Sequence, residues 1–278
     1  MATHHNVRLH SGFTKDQESL NRILMANPNN FEALVDLGML YDYNGDFNKA
    51  VEQFKKALSV LALDGNANDE DRIKAAVDNY NKNAGPAEQI TNRDVSDLFN
   101  FWALTLKSQG NNDEALLYYA QSILADPTSA LPYNNRGMMY LNLGDDEKAI
   151  HDFTQSIELD RNYAVPYCNR GIIKEKLSLR KEAEEDYKKA IELDNTFAEA
   201  YNNLGIVYYK DKRYEDAIEL YKKAIELNKC YATAYFNLGL AYSKIKDSSK
   251  SYHYIKKAYE LEPYNPLFIK VFMGATYE

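Results

Sequence analysis

Cysteine, proline, tryptophan and long apolar runs are all scarce in this 278-residue chain. Its two cysteines, Cys168 and Cys230, make neither a disulfide framework nor a metal quartet, so a reducing, cytoplasmic setting is expected, with no metal and no cofactor. No stretch approaches the roughly 18 apolar residues of a membrane-spanning helix, and the opening MATHHNVRLHSGFTKDQ lacks the apolar core of a signal peptide. Membrane insertion is therefore not expected. No P-loop, dinucleotide fingerprint or nucleophile elbow occurs, and His4, His5 and His10 sit in what reads as a flexible leader over 1–13. The chain reads as a non-enzyme. Basic charge is also short: 33 Lys and Arg stand against 41 Asp and Glu, for a net charge of −8. Residues 1–129 hold 18 of the acids and only 11 of the bases, which argues against nucleic acid as a partner, because phosphate contacts dominate such binding.

Tyrosine is abundant, with 23 copies, and its placement reveals the organisation. The strings YNNRGMMYLNLGDDEKAIHDF, YCNRGIIKEKLSLRKEAEEDY and YNNLGIVYYKDKRYEDAIELY begin at Tyr133, Tyr167 and Tyr201, each 34 residues after the last. Extending that period gives five continuous repeats over 96–265, with a further one at 31–64. Within a repeat, apolar residues recur at helical spacing in two blocks. The eighth position of the first block is small (Gly38, Ala103, Gly137, Gly171, Gly205, Gly239), which lets a second helix approach closely. The second block carries Ala50, Ala115, Ala149, Ala183 and Ala217, with Phe54, Tyr119, Phe153, Tyr187 and Tyr221 four residues later. Gly45, Gly110 and Gly144 fall where the first helix ends. This pattern resembles the tetratricopeptide repeat (TPR) family, whose signature is W-x2-L-G-x2-Y, then A-x3-F, then P. The resemblance implies an all-α fold, a right-handed α-solenoid of antiparallel helix pairs with a concave groove lined by the first helices. The last repeat departs from the signature, with Ser251 and Ile255 where Ala and an aromatic are usual.

At the edges, 14–30 matches the second half of a repeat, with Leu20 and Ile23 in core positions, and 266–278 begins a first helix that reads as a cap. The cap is crowded with apolar residues, so Leu267, Phe268 and Phe272 are candidates for self-association, making a homo-oligomer through terminal helices possible. Residues 65–95 are an insertion holding one helix, which would separate the repeat at 31–64 from the block 96–265; the next helix would be capped at Asp94 or Ser96.

The sixth position of the first helix holds Asn135, Asn169, Asn203 and Asn237. In the family this position faces the groove, and an amide that both donates and accepts suits an extended peptide backbone. The row looks like the asparagine ladder of the O-linked N-acetylglucosamine transferase superhelix; support of inter-helix packing alone would also account for it. Beside it stand Met138, Ile172, Ile206 and Leu240, with Asn134, Asn202, Phe236 and Cys168, and Lys176, Lys210 and Lys244 at the rim. Helix C-terminal dipoles alone would also account for the lysines. The family's carboxylate clamp for chaperone C-terminal tails would need basic residues at Val165 and Asn169, or Glu199 and Asn203, so that partner is not expected. The resemblance thus implies a protein–protein interaction adaptor binding an extended peptide in its groove. The alternatives are a self-associating assembly scaffold acting through its ends, or the substrate-targeting part of a glycosyltransferase-like enzyme. Finally, Arg136 and Arg170 replace the usual Leu in the only repeats that carry Asp152 and Asp186 sixteen residues later, which predicts two partly buried ion pairs of structural role.

Overall fold

The computed structural model describes residues 16–63 and 69–275; the three leader histidines lie outside them. Among the described residues there are fifteen α-helices and no strand. None of these helices is long and apolar enough to cross a membrane. The chain divides into two compact units, with the boundary inside one helix, between Met139 and Tyr140.

The first unit contains α1 (Gln17–Ala26), α2 (Phe31–Tyr43), α3 (Phe47–Val60), α4 (Glu70–Asn83), α5 (Asn92–Ser108), α6 (Asn112–Ala125) and the start of α7 (Ala130–Leu143). Asp16 and Asn30 cap α1 and α2 by accepting from the amides of Ser19 and Ala33. The α2–α3 and α5–α6 pairs turn at Gly45 and Gly110, whose φ values of 78° and 82° are inexpensive only for glycine. At Gly38 an added Cβ would lie 2.4 Å from the Phe54 ring, so the small residue does admit the second helix.

The insertion does not hold the first repeat apart. Helix α3 packs on α5, the Phe54 and Trp102 rings stand 6.3 Å apart, and Thr105 Oγ1 donates to Asp42 at 2.7 Å. Helix α4 lies to the side, burying Ile73 and Val77 in the same core. Its Tyr80 hydroxyl accepts from the Phe31 amide at 3.4 Å, and Glu88 beyond it accepts from the side chains of Asn27 and Asn30. The expected cap of α5 is corrected: Thr91, not Asp94 or Ser96, is the N-cap, in a reciprocal capping box with Asp94. Ser96 is instead buried, its hydroxyl 3.0 Å from that of Ser122 on α6.

The second unit begins within α7 and continues through α8 (Asp146–Leu159), α9 (Ala164–Lys176), α10 (Arg180–Leu193), α11 (Ala198–Lys210), α12 (Tyr214–Leu227), α13 (Ala232–Lys244), α14 (Ser248–Leu261) and α15 (Pro266–Ala275). Tyr187 and Tyr221 are almost wholly buried, pressed against Gly171 and Gly205, where an added Cβ would sit 2.8 and 2.6 Å from the rings. Gly239 meets Ile255 instead, at 2.7 Å. The turn between first and second helices needs a left-handed residue here too, but only Gly144 is a glycine; Ser178, Lys212 and Lys246 take φ near 64°, 63° and 63°. Sequence alone gave no sign of these three, because no glycine marks them.

The predicted pair of Arg170 with Asp186 is present. Arg170 donates to Asp186 through two nitrogens, at 2.9 and 2.7 Å, and to Thr154 at 3.2 Å. Asp186 is buried and also holds Lys174 at 2.7 Å. At the end of the unit, Asn265 caps α15 by accepting from the amide of Leu267. Phe268 is buried against Phe236, with ring centroids 4.8 Å apart, and Phe272 stacks on Tyr259 at 4.9 Å. Leu267 and Met273 stay exposed, at 53% and 46%. Met273 occupies the position that Gly171, Gly205 and Gly239 hold in the complete repeats.

Candidate protein-interaction face

In each repeat the first helix turns one stripe toward its paired helix and another, one residue in three or four away, toward the opposite side. In the first unit the second stripe includes Asn134, Asn135 and Met138. Asn134 is buried, while Asn135 and Met138 are half-buried. Asn135 Nδ2 donates to Asn100 Oδ1 at 2.9 Å, and Asn134 Nδ2 reaches Asn135 Oδ1 at 3.4 Å.

The second unit repeats that wiring on α9, α11 and α13. Asn237 Nδ2 donates to Asn202 Oδ1 at 2.9 Å, and Asn203 Nδ2 reaches Cys168 Sγ at 3.7 Å. Asn202 Nδ2 in turn donates to Asn203 Oδ1 at 3.2 Å. Each of these ladder amides therefore ties its helix to the first helix of the preceding repeat, 35 residues back. Asn169 and Asn202 are buried; Asn203 and Asn237 are half-buried. Cys168 stands where Asn100, Asn134 and Asn202 carry an amide, and burial pushes its thiol up to about 12. Such a thiol carries almost no thiolate at neutral pH, which makes it a packing residue and not a nucleophile.

The apolar row consists of Ile172, Ile206 and Leu240, all half-buried, one per repeat. Phe236 does not join it at the surface, since α15 covers it through Phe268. The rim lysines are all exposed, but two carry partners of their own. Lys176 binds Asp146 at 2.7 Å, and Lys210 binds Glu175. Lys244 has no carboxylate partner among the described residues. No group of three or more His, Cys, Asp and Glu among those residues could hold a metal ion.

A recurring device on the turn side of the repeats was missed in the sequence. Lys148 lies 5.2 Å over the Tyr140 ring while binding Asp145 at 2.7 Å, and Lys250 lies 5.1 Å over Tyr242 while binding Asp247 at 2.8 Å. Lys49, Tyr41 and Asp46 form the same trio in the first unit. On α12 the charges are exchanged: Arg213 stands 3.7 Å over Tyr208 and binds Asp216 at 2.9 Å. The signal available was Tyr, then Asp five residues on, then Lys three beyond that.

Family models described as tetratricopeptide repeat or TPR repeat match residues 31–60, 130–163, 181–212, 207–246 and 232–265. No curated protein matches the chain. Among solved structures, a chain of the APC/C hetero-tetramer Cut9–Hcn1 is similar over 92% of this chain, with a TM-score of 0.73 and 17% identity. This chain spans 45% of that one's length. PilF of Pseudomonas aeruginosa is similar over 88% of this chain and 96% of its own, with a TM-score of 0.68 and 16% identity. MamA is 28% identical over 58% of this chain and 94% of its own, with a TM-score of 0.51.

Proposed function

The chain belongs to the tetratricopeptide-repeat family, whose fold is a right-handed α-solenoid of antiparallel helix pairs, and we propose from that premise that it is a non-enzymatic adaptor holding an extended segment of another protein against the first helices of the second unit. The observation that carries this reading is the row Ile172, Ile206 and Leu240, left half-open on successive repeats with Asn203 and Asn237 beside it. An extended chain running across α9, α11 and α13 can set side chains against these apolar positions while the amides take its backbone groups. The reading invokes no chemical step. It places the partner in contact with α9, α11 and α13, and leaves Asn169 and Asn202 as supports beneath the face.

The experiment is binding of linear peptides to the full chain. Ile206→Asp with Leu240→Asp is expected to abolish capture, whereas Lys256→Ala on α14 is expected to leave it intact. Asn203→Ala with Asn237→Ala should weaken capture and also lower the melting temperature, because these amides tie neighbouring repeats. Capture that survives Ile206→Asp with Leu240→Asp in a folded chain would exclude the groove. A second reading, self-association through α15, draws on exposed Leu267 and Met273, with Phe268 and Phe272 already engaged inside the chain. Sedimentation over a wide concentration range tests it: a monomer throughout, unchanged by Leu267→Glu, would end that reading.

A further inference from the structure

The three rim lysines are equivalent by repeat position but not by environment. Lys210 reaches Glu175, 35 residues back, and Lys176 reaches Asp146, 30 residues back. Applied to Lys244, the same two reaches end on Tyr209 and Tyr214. Neither is a carboxylate. Both are half-buried, and their rings meet edge to face with centroids 5.4 Å apart. Lys244 is exposed in the last turn of α13, one helical turn beyond Leu240. Its ammonium has three donors and no acidic partner among the described residues, and the phenolic hydroxyl of each tyrosine can donate as well.

Resting on the adaptor reading above, we infer that the face recognises a single acidic side chain, and recognises it at Lys244 with Tyr209 and Tyr214. A carboxylate placed there gains a charge-assisted hydrogen bond that the chain does not already make. At Lys176 or Lys210 an incoming carboxylate would have to displace Asp146 or Glu175, exchanging one ion pair for another with no net gain. Rim charge thus selects one position and stays silent at the other two. The partner chemistry that fits is an extended, mainly apolar segment with one Asp or Glu next to the side chain that meets Leu240, and not an acid-rich tail.

The test uses the full chain and a random linear-peptide library, keeping binders whose affinity falls in Leu240→Asp. In those binders, replacing the acidic residue by its amide is expected to weaken binding about fivefold with wild-type protein, the scale of one solvent-exposed ion pair. The same replacement should cost nothing with Lys244→Ala, and the full fivefold with Lys176→Ala or Lys210→Ala. Binders that lack an acidic residue, or an amide penalty that persists in Lys244→Ala, would overturn the acid-reading site while leaving the groove in place. A library in which no binder responds to Leu240→Asp would overturn the groove reading itself, and this inference with it.

Discussion

At the scale of single residues, the second unit buries two aspartates, Asp152 and Asp186, and the surroundings of Asp186 show what such burial costs. Asp186 has a side chain only 6% exposed and is gripped by both Arg170 and Lys174. A buried ion pair adds little net stability over an apolar pair of the same shape, yet losing one member strands the other. The repeat at 198–231 shows the apolar solution, with Leu204 and Leu220 at the same two positions. Arg170→Leu is therefore expected to destabilise the protein by about 3 kcal/mol, at the lower end of such losses because Lys174 still answers the carboxylate. Arg170→Leu with Asp186→Leu should recover most of that loss. Chemical denaturation of the two variants decides the matter: a double variant no more stable than the single one would show that the pair contributes more than mutual neutralisation.

At the scale of elements, the helix pairs between 130 and 265 were legible because several constraints coincide at one period. A small residue at the eighth position and a ring or bulky side chain sixteen residues later must face each other, and Gly171 with Tyr187 and Gly205 with Tyr221 do so. The start of α5 was not legible, since Thr91 and Asp94 cap it only by folding back on each other, and a run of polar letters offers several equal candidates. The candidate face was half legible. The positions of Asn135, Asn203 and Asn237 follow from the repeat, but a letter does not say where an amide points, and each of these is tied to the preceding repeat. The turn trios carry a similar lesson. Arg213 and Asp216 on α12 keep the geometry of the Lys–Asp turns with the charges exchanged, so the contact to the tyrosine ring and the ion pair both survive. Arg213→Asp alone sets two acids at one turn and should lower the melting temperature. Arg213→Asp with Asp216→Lys recreates the arrangement of Asp145 and Lys148 and should restore it. Equal melting temperatures for the single and double variants would mean that the turn draws nothing from the ion pair.

At the scale of the whole molecule, a repeat array has no single centre, because each helix pair is stabilised mainly by its neighbours. The apolar clusters reflect this. Within the second unit a large one runs from Ala164 to Tyr242, while α15 is held by a small one in which Phe268 meets Ala232, Phe236 and Ala258. Within the first unit α1 depends on Leu20 packed with Ala33 and Leu37. Opening should therefore begin at the ends, with terminal helices exchanging their amide hydrogens through local openings of low free energy. Hydrogen exchange is expected to be fastest in α1 and α15 and slowest in α5, α6 and α10–α12. Phe268→Ala removes the buried ring that anchors α15, at a cost of about 3–5 kcal/mol, more than a ten-residue terminal helix can hold in reserve. Protection should then vanish in α15, fall in α14, whose Ala258 loses its cover, and stay unchanged in α9–α12. If Phe268→Ala instead lowers protection equally across α9–α15, the second unit unfolds as one cooperative block, and the nearest-neighbour account of its stability is wrong.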